Sequence, residues 1–283
     1  MDNTALVLEG GGMRGVFTAG VLDFFIDKGI TFDNVTGVSA GAGHAVSYLS
    51  SQRGRAYRVN VNYLDDKRYC SLRSLVGTGD LFGADMLYRE IPEKLDPYDY
   101  DAYLAQKSVF RAVVTDCETG CAEYPVIREM KNDIQYVRAS ASMPFVSRIV
   151  RIGSGRFLDG GISDPIPFEH MLDLGCNKVV TVLTQPYGYR KKRSSAYSVL
   201  SAAFYPAYKG LRYSICERYA LYNDTLDALE AAEESGEVFV IRPPRSLGIG
   251  RTEKDRALLD CAYNLGYAEA ERRYGEMKKY LEA

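Results

Sequence analysis

A glycine-rich segment near the start of the chain has residue types suited to binding a negative charge. Residues 9–15 read Glu-Gly-Gly-Gly-Met-Arg-Gly and stand between a β-like run and a helical pattern. At Gly10, Gly11 and Gly12, backbone N–H groups are able to converge on an anion with no side chain in the way. The segment therefore favours an oxyanion hole, the set of donors that stabilises a tetrahedral intermediate.

The same segment has a second interpretation. Gly10, Gly12 and Gly15 satisfy the G-x-G-x-x-G pattern of a dinucleotide-binding turn, with Asp33 near the position of the ribose carboxylate. On that basis the chain would be a nicotinamide or flavin oxidoreductase. A tight turn that binds nothing is the third interpretation, although three successive glycines cost more chain entropy than such a turn requires.

A second segment, Gly37-Val38-Ser39-Ala40-Gly41, has the G-x-S-x-G pattern of a nucleophile elbow. The elbow needs a strand before it, a helix after it and glycine at both flanks, because the serine crowds the neighbouring backbone. At this predicted helix N-terminus, the Ala40 N–H and the helix dipole favour negative charge. A serine that only caps the helix is the simpler alternative.

A nucleophilic serine needs a base, and the chain has only two histidines. His44 follows Ser39 by five residues on the same predicted helix and therefore points to a different face. His170 would complete a triad in the order Ser, Asp, His. However, too little chain precedes Ser39 for the strands that an α/β-hydrolase places before its elbow. We therefore expect a carboxylate to act directly.

Two aspartates end predicted strands and so face the carboxyl edge of the sheet, where open α/β sheets place their sites. Asp159 is favoured as the partner of Ser39, because Gly160 and Gly161 follow it and permit another backbone to approach closely. Asp116 is more typical of an Asx turn, and Asp159 has the same alternative.

The sequence also predicts the strands and helices that must position these residues. β-rich runs alternate with helical patterns, which predicts a wound α/β sheet. A buried helix is predicted over Val16–Lys28, ended by Gly29. A C-terminal helix carries an apolar stripe over 259–281 and starts at a Thr252–Asp255 capping pair. Strands are predicted at residues 5–9, 35–39, 109–116, 179–184 and 238–242, with a hairpin over 149–158.

Composition limits the classes of protein. The 35 Lys and Arg nearly balance 37 Asp and Glu in 283 residues, which disfavours a nucleic-acid partner. No apolar run approaches the ~18 residues of a spanning helix. The opening Met-Asp-Asn-Thr lacks the basic segment of a signal peptide, so we expect a cytoplasmic protein. Six scattered cysteines and two histidines predict reduced thiols, with no metal site.

We expect one domain over residues 1–283, with residues 185–216 as an irregular excursion from it. Its basic run, Arg190-Lys191-Lys192-Arg193, is more often a solvated loop. The alternative is peripheral contact with the inner face of the membrane, at about 1 kcal/mol per cation. The aromatic and apolar residues from Tyr197 to Tyr213 predict either core packing or a lid over an acyl pocket.

Taken in order, the glycine string with its basic residue, the G-x-S-x-G segment and Asp159-Gly160-Gly161 resemble the patatin-like phospholipases, particularly their bacterial members. The segment 138–144 is similar to the helix that precedes the Asp-Gly motif in that family. The matching motifs lie within residues 5–170, and the helices and strand of 171–283 would complete the domain.

The resemblance implies a three-layer α/β/α fold with a mainly parallel sheet. It also implies hydrolysis of lipid carboxylic esters, of the phospholipase A or lysophospholipase type, with neither metal nor cofactor. It makes Ser39 the nucleophile and Asp159 its base. The other residues it assigns are oxyanion donors at Gly10, Gly11, Gly12 and Ala40, and supporting residues at Arg14, Gly37, Gly41, Gly160 and Gly161. Arg14 would order the glycine loop or bind an anionic group of the substrate.

Two departures from the family pattern stand beside these motifs. Glu9 precedes the glycines where Asp is common, which we expect to be harmless because backbone N–H groups carry the role. Asp164-Pro165-Ile166-Pro167 replaces the Asn-x-Pro that often follows Asp-Gly-Gly, which leaves the support of Asp159 less defined. A catalytically silent lipid-binding module on the same fold remains an alternative function.

Overall fold

The computed structural model describes residues 3–283; Met1 and Asp2, the first two residues of the segment examined for a signal peptide, lie outside the described residues. A mostly parallel sheet forms the middle of the molecule. Its strands are β1 (Thr4–Leu8), β2 (Asn34–Val38), β3 (Val109–Asp116), β4 (Ala122–Glu123), β5 (Val150–Ile152), β6 (Gly155–Asp159), β7 (Lys178–Val182) and β8 (Val238–Ile241). Hydrogen bonds link them in the order β5-β6-β3-β2-β1-β7-β8, with β4 beside β3.

Helices occupy most of the connections between these strands. They are α1 (Val16–Asp27), α2 (Ala40–Leu49), α3 (Arg55–Val61), α4 (Leu72–Thr78), α5 (Tyr100–Ala105), α6 (Met130–Ser140), α7 (Phe168–Asp173), α8 (Ala196–Phe204), α9 (Lys209–Glu234) and α10 (Arg256–Glu282). A π-helical segment spans Met86–Leu95, and 3-10 turns span Gly12–Gly15 and Gly160–Ile162. Within residues 3–283, no helix has both the length and the apolar composition needed to cross a membrane.

The alternation of side chains along β1 creates two apolar layers. Leu6 and Leu8 pack with residues of α1, α2 and α10 on one face of the sheet. Ala5 and Val7 pack with residues of α7 and α9 on the other. Successive side chains of a strand point to opposite faces, so a buried strand must be apolar throughout. The three-layer α/β/α fold with a mainly parallel sheet is confirmed.

The element boundaries show where the sequence pattern was sufficient. β3 spans Val109–Asp116 as predicted, and the hairpin turns at Gly153, whose φ is 57°. The helix α1 ends at Asp27, one residue earlier than predicted, with Gly29 in the left-handed conformation after it. β1 and β2 end one residue earlier than predicted, because Glu9 and Ser39 leave the sheet.

The C-terminal helix shows one correct and one wrong prediction. Its apolar stripe is confirmed, and α10 packs closely on α1: a Cβ at Gly266 would lie 2.0 Å from the Phe17 carbonyl oxygen. The Thr252–Asp255 capping pair is wrong. Asp255 itself is the N-cap and accepts hydrogen bonds from the N–H groups of Ala257 and Leu258. Thr252 lies outside the helix because the first turn begins after Asp255.

The register of the sheet brings three chain segments to one edge. β1 and β2 are parallel neighbours with Leu8 opposite Gly37, so the glycine loop and Ser39 leave the sheet side by side. β6 runs antiparallel to β3 and pairs Asp159 with Val114, immediately past the part of β3 that pairs with β2. Residues far apart in sequence therefore meet at the carboxyl edge of the parallel strands.

Candidate active site

Ser39 occupies a sharp turn between β2 and α2. Its backbone has φ 55° and ψ −121°, an unusual conformation for a residue other than glycine. Such conformations cost about 1–3 kcal/mol and persist only where the surroundings impose them. The Ser39 N–H donates to Ser140 Oγ at 2.9 Å, and the Ser39 carbonyl accepts from the Gly43 N–H at 3.2 Å. The elbow predicted from the sequence is therefore present, and Ser140 is a supporting residue that the motif did not indicate.

The two glycines that flank the elbow are in close contact with other backbone atoms. A Cβ at Gly41 would lie 2.4 Å from the Leu8 carbonyl oxygen, and one at Gly37 would lie 2.6 Å from the backbone of Ala42. Both distances are too short for any side chain. The G-x-S-x-G spacing is thus a packing requirement of this strand–turn–helix unit.

Asp159 ends β6 and is 6% exposed. Its backbone is fixed on both sides: the N–H donates to the Ser142 carbonyl at 2.9 Å, and the carbonyl accepts from Thr115 Oγ1 at 2.8 Å. Its carboxylate accepts a hydrogen bond from the Gly161 N–H at 2.8 Å. A Cβ at Gly160 would lie 2.3 Å from the Val113 carbonyl oxygen, so this turn also depends on glycine.

The surroundings of Asp159 have opposing effects on its pKa. Burial raises the pKa of its carboxyl group, while hydrogen bonds from the Ser39 side chain and the Gly161 N–H lower that pKa. The positive charges of Arg218 and Arg251 also lower it, and burial prevails. A carboxylate with a raised pKa is a better proton acceptor than an exposed aspartate. This one lies against the hydroxyl of Ser39.

The glycine loop packs directly on the elbow. A Cβ at Gly10 would lie 2.8 Å from the Cβ of Ser39. Within residues 3–283, the N–H groups of Gly10, Gly11 and Gly12 have no hydrogen-bond acceptor, whereas the next one, of Met13, is bonded to a carbonyl. The Ala40 N–H begins α2 and so has no acceptor within its helix. Donors without an acceptor therefore lie in the two segments that meet at Ser39.

Glu9 anchors the glycine loop. It is buried, and its carboxylate accepts hydrogen bonds from the Thr184 N–H at 2.6 Å and from the Tyr222 hydroxyl at 2.6 Å. Thr184 Oγ1 also donates to this carboxylate and to the Gly10 carbonyl. The sequence presented Glu9 only as a departure from a family pattern, and its partners after β7 and in α9 had no local signal.

Two cavities meet at Ser39. The first, called here the apolar cavity, has a volume of about 150 Å³ and is lined in part by α2. Its lining includes Met13, Val46, Tyr69, Leu87, Tyr98 and Val137. The second, called here the cationic pocket, has a volume of about 50 Å³ and contains the glycine loop and Asp159. Its positively charged lining residues are Arg14, Lys191, Arg218 and Arg251. All five residues of the predicted oxyanion loop and Ser-Asp pair, Gly10, Gly11, Gly12, Ser39 and Asp159, border this pocket.

The four residues of the basic run 190–193 do not share one environment. Neither a solvated loop nor a membrane contact therefore describes the whole run. Arg190 forms ion pairs with Asp227 and Glu230 of α9. The Lys191 ammonium lies 3.4 Å from the ring centroid of Tyr222 and borders the cationic pocket. Lys192 and Arg193 remain exposed. Position in the fold, and not the charge pattern, gives each residue a different environment.

Neither histidine is positioned beside Ser39. His44 is buried against Gly15 and lines the apolar cavity, and burial lowers its pKa to about 4. His170 stacks on Tyr124 with ring centroids 3.6 Å apart. Within the described part of the chain, no hydrogen bond joins either imidazole to the serine. The geometry thus favours the carboxylate over a histidine as the base.

The other two aspartates considered from the sequence, Asp116 and Asp33, accept hydrogen bonds within turns and between strand ends. Asp116 Oδ1 accepts hydrogen bonds from the N–H and the hydroxyl of Thr119, which is the Asx turn expected there. Asp33 precedes β2 and accepts hydrogen bonds from the N–H and hydroxyl of Thr4. Asp33 therefore lies at the opposite end of the sheet from the glycine loop, so the dinucleotide interpretation lacks its ribose-binding carboxylate.

Comparisons with known proteins agree with the motifs. A sequence model described as patatin-like phospholipase matches residues 6–172, more than half of the chain. A second model, for a domain of unknown function (DUF6363), matches residues 208–282. The two matches together cover all of the residues assembled around Ser39 except those in the connection that contains Thr184 and Lys191.

Individual relatives are more distant. The uncharacterized protein YjjU of Escherichia coli is 31% identical over 188 residues, which are 64% of this chain and 52% of YjjU. Lysophospholipase nte1 of Aspergillus niger is 25% identical over 301 residues, covering 99% of this chain and 18% of nte1. The crystal structure of VipD from Legionella pneumophila matches with a TM-score of 0.48 and 13% identity, over 96% of this chain and 66% of VipD. The chain thus spans about half the length of YjjU and a smaller part of nte1.

Proposed function

The chain belongs to the patatin-like phospholipase family, and from this premise we propose that it is a serine acyl hydrolase that cleaves carboxylic esters of lipids. The observation that carries the proposal is the arrangement around Ser39. The glycine loop, whose N–H groups have no acceptor, packs on Ser39, and the buried carboxylate of Asp159 is hydrogen-bonded to its side chain. This combination supplies the nucleophile, the base and the oxyanion donors of acyl transfer.

The first half of the proposed reaction forms an acyl-enzyme. Ser39 Oγ attacks the ester carbonyl carbon while the Asp159 carboxylate accepts the hydroxyl proton. Negative charge develops on the carbonyl oxygen, next to the N–H groups of Gly10, Gly11, Gly12 and Ala40. As the tetrahedral intermediate collapses, the bond to the alcohol oxygen breaks. Asp159 returns the proton to the departing alcohol.

The second half releases the fatty acid. Water attacks the carbonyl carbon of the acyl-enzyme, and Asp159 accepts a proton from that water. The same backbone donors stabilise the second tetrahedral intermediate. The bond from Ser39 Oγ to the acyl carbon then breaks, and Asp159 protonates the serine oxygen. The carboxylate is therefore a base and then an acid in each half, with no metal or cofactor.

The two cavities support a lipid ester as the substrate. The apolar cavity accommodates an acyl chain, because moving an apolar chain from water into apolar surroundings is favourable. The alcohol part of the ester would then extend into the cationic pocket. Because nte1 is named a lysophospholipase, the phospholipase A or lysophospholipase type is the specific activity we propose.

Active-site labelling tests the nucleophile. We expect a fluorophosphonate probe to modify the wild-type protein stoichiometrically and to spare Ser39→Ala. The matched control is Ser154→Ala, an exposed serine in the β5–β6 turn, which should be labelled like the wild type. Loss of the nucleophile should lower kcat for a nitrophenyl ester by about 10⁶-fold. Undiminished hydrolysis by Ser39→Ala would reject the proposal, and an unlabelled wild type would favour a silent lipid-binding module.

We also propose that residues 1–283 form one domain. Two contacts support this: α10 packs on α1 through Gly266, and the Arg251 carbonyl accepts the Met13 N–H at 3.1 Å. A chain ended after residue 172 should therefore lack cooperative unfolding, measured by circular dichroism during heating. A sharp transition in that fragment would instead indicate two independent domains.

The location we propose is the cytoplasm, with peripheral contact at the inner face of the membrane. Exposed apolar side chains occur on α8, at Val199 and Phe204, and exposed cations precede this helix at Lys192 and Arg193. Such a combination binds anionic bilayers through both apolar and electrostatic contacts. Co-sedimentation with phosphatidylglycerol vesicles tests this, with Lys192→Glu and Arg193→Glu together expected to weaken binding. If the variant sedimented with the vesicles as much as the wild type does, the proposed membrane contact at these residues would be wrong.

A further inference from the structure

The cationic pocket contains more positive than negative charge. Arg14, Lys191, Arg218 and Arg251 border it, whereas its carboxylates are those of Glu9 and Asp159. When all six groups are ionised, four cations against two carboxylates give a formal excess of two positive charges. Because the pocket is adjacent to Ser39, this excess acts on whatever group is attached to the alcohol side of a bound ester.

The four cations are not neutralised by the protein. Within residues 3–283, none of them forms an ion pair with a carboxylate. The Nε atoms of Arg14 and Arg218 are buried and have no hydrogen-bond partner. The two carboxylates are already occupied, since Glu9 accepts from Thr184 and Tyr222, and Asp159 accepts from Gly161. Unsatisfied buried donors are unfavourable unless a ligand completes them.

Mutual repulsion among the cations of the pocket also favours a bound anion. Burial and the charges of Arg218, Arg251 and Arg14 lower the pKa of Lys191 well below its ordinary value, and Glu9 only partly opposes them. Burial and Arg251 likewise lower the pKa of Arg218. An anion placed among these groups would relieve the repulsion and favour their charged forms.

From this geometry we infer that the cationic pocket is a head-group subsite that selects lipids ending in a phosphate monoester, as in lysophosphatidic or phosphatidic acid. The inference rests on the proposed function and narrows its substrate class. A phosphate monoester carries about −1.5 to −2 charges at neutral pH, which matches the excess of two. Guanidinium groups also present paired donors that fit phosphate oxygens.

A choline head group fits the same pocket poorly. A quaternary ammonium ion is bound through the faces of aromatic rings. The aromatic ring that borders this pocket is that of Tyr222, and the Lys191 ammonium already lies 3.4 Å from its centroid. The excess positive charge would repel the choline as well. We therefore expect discrimination against zwitterionic lipids of the same chain length.

Two of the four cations of this subsite, Arg218 and Arg251, come from the region matched by the domain of unknown function. Arg218 lies on α9, and its Nη2 donates to the Gly161 carbonyl at 3.3 Å. Arg251 lies in the loop before α10, and a Cβ at Gly12, where φ is 58°, would lie 2.6 Å from the Arg251 carbonyl oxygen. Both arginines are thus held against the catalytic segments. The inference gives the region 208–282 a function: it supplies head-group recognition.

Substrate competition with matched acyl chains tests the subsite. We would measure kcat/KM for lysophosphatidic acid and for lysophosphatidylcholine in the wild type, Arg218→Gln, Arg251→Gln and Arg245→Gln. Arg245 is an exposed arginine of the same loop as Arg251 and borders neither cavity, so it is the charge-matched control. Taking the ratio of the two substrates removes any effect that a variant has on the shared chemistry.

We expect the wild type to prefer lysophosphatidic acid. Each pocket variant should lower the ratio by about 10- to 100-fold, the scale of one charge-assisted hydrogen bond, while Arg245→Gln keeps it. Circular dichroism and thermal unfolding establish that the variants are folded. A wild-type ratio near one, or an unchanged ratio in both folded pocket variants, would overturn the inference and leave the esterase function standing.

Two further experiments distinguish a head-group subsite from a site for free phosphate and from failure of the proposed function. Inorganic phosphate should inhibit hydrolysis of a neutral nitrophenyl ester competitively, and less so in Arg218→Gln. Inhibition without a preference for lysophosphatidic acid would identify a site for free phosphate and overturn the head-group subsite. If no ester is hydrolysed, the proposed function fails, and calorimetric titration of Ser39→Ala still decides the subsite. Lysophosphatidic acid should bind more tightly than lysophosphatidylcholine, and equal affinities would overturn the inference.

Discussion

The apolar cavity and the cationic pocket share Gly12, Ser39 and Met143 but differ in size and in the polarity of their lining. The cavity is about three times larger, at about 150 Å³ against 50 Å³, and is lined mainly by aliphatic and tyrosine side chains. An ionised phosphate cannot enter apolar surroundings without a large desolvation cost, and an acyl chain gains nothing among charges. For the proposed lipid ester, the contrast predicts that the acyl chain lies on the apolar side of the serine and the head group on the charged side.

Among variants that act on one side of Ser39 alone, the largest effect should come from removing the proposed base on the charged side. Asp159→Asn keeps the shape of the side chain but cannot accept the Ser39 proton, so kcat should fall about 10⁴-fold. In the wild type, burial raises the pKa of Asp159 above 3.8. Because only the ionised form is a base, kcat/KM should fall as the pH decreases through that raised value. A pH–rate profile measures this acid limb.

A variant of His170 is the control for that prediction. His170→Ala should hydrolyse a nitrophenyl ester at the wild-type rate, because the imidazole is stacked on Tyr124 and borders neither cavity. A loss in His170→Ala comparable to that in Asp159→Asn would restore a catalytic triad and remove the direct role of the carboxylate.

The anchor of the glycine loop should have the next largest effect. Glu9→Ala leaves the Thr184 N–H and the Tyr222 hydroxyl without their buried acceptor. We expect the free energy of unfolding to fall by about 2–4 kcal/mol, measured by urea denaturation. The control is Glu234→Ala, an exposed glutamate of α9, which should change stability by less than about 0.5 kcal/mol. Equal stabilities of the two variants would contradict the anchoring role.

Filling the apolar side should change chain-length preference. Gly43 lies on α2 at the apolar cavity, and a Cβ there would meet no atom within 4 Å. Gly43→Leu should therefore fold normally and lower the ratio of long-chain to short-chain ester hydrolysis by about 10- to 100-fold. Gly275→Leu, at a helical glycine of α10 with similar space, should leave that ratio unchanged. An unchanged ratio in Gly43→Leu would mean that the acyl chain lies elsewhere.

The smallest predicted effect concerns the neutral histidine of the apolar side. Burial lowers the pKa of His44 to about 4, whereas in the unfolded chain it is near 6.5. The unfolded state therefore binds more protons between these values, and this contribution to stability is lost as the pH falls from 6.5 towards 4. Between pH 7 and 5, His44→Gln should lose about 2 kcal/mol less stability than the wild type. Urea unfolding at both pH values measures it, and identical pH dependence would contradict a buried neutral imidazole.

The residues of the cationic pocket differ in how far the sequence predicted them. The elbow, the glycine loop and Asp159 were found because each combines a local pattern with a strand end, and strand ends follow from hydrophobic runs. Arg218 has no such signal, because an isolated cation on a helix is usually solvated. Lys191 stands in a basic run whose predicted environments were a solvated loop or a membrane surface. Their role depends on packing between segments far apart in sequence. The alternation of strands and helices predicted the layers, whereas the Thr252 cap failed because several polar residues precede α10.

The hydrogen bond between Glu9 and Tyr222 joins residues that are 213 positions apart. During synthesis from the N-terminus, at about 5–20 residues per second, the glycine loop would leave the ribosome roughly 10–40 s before the tyrosine that anchors it. An unfinished chain that has not yet reached Tyr222 therefore lacks one of the buried donors to Glu9. If the proposed function is correct, we expect hydrolysis by a nascent chain to begin only after this tyrosine has been added.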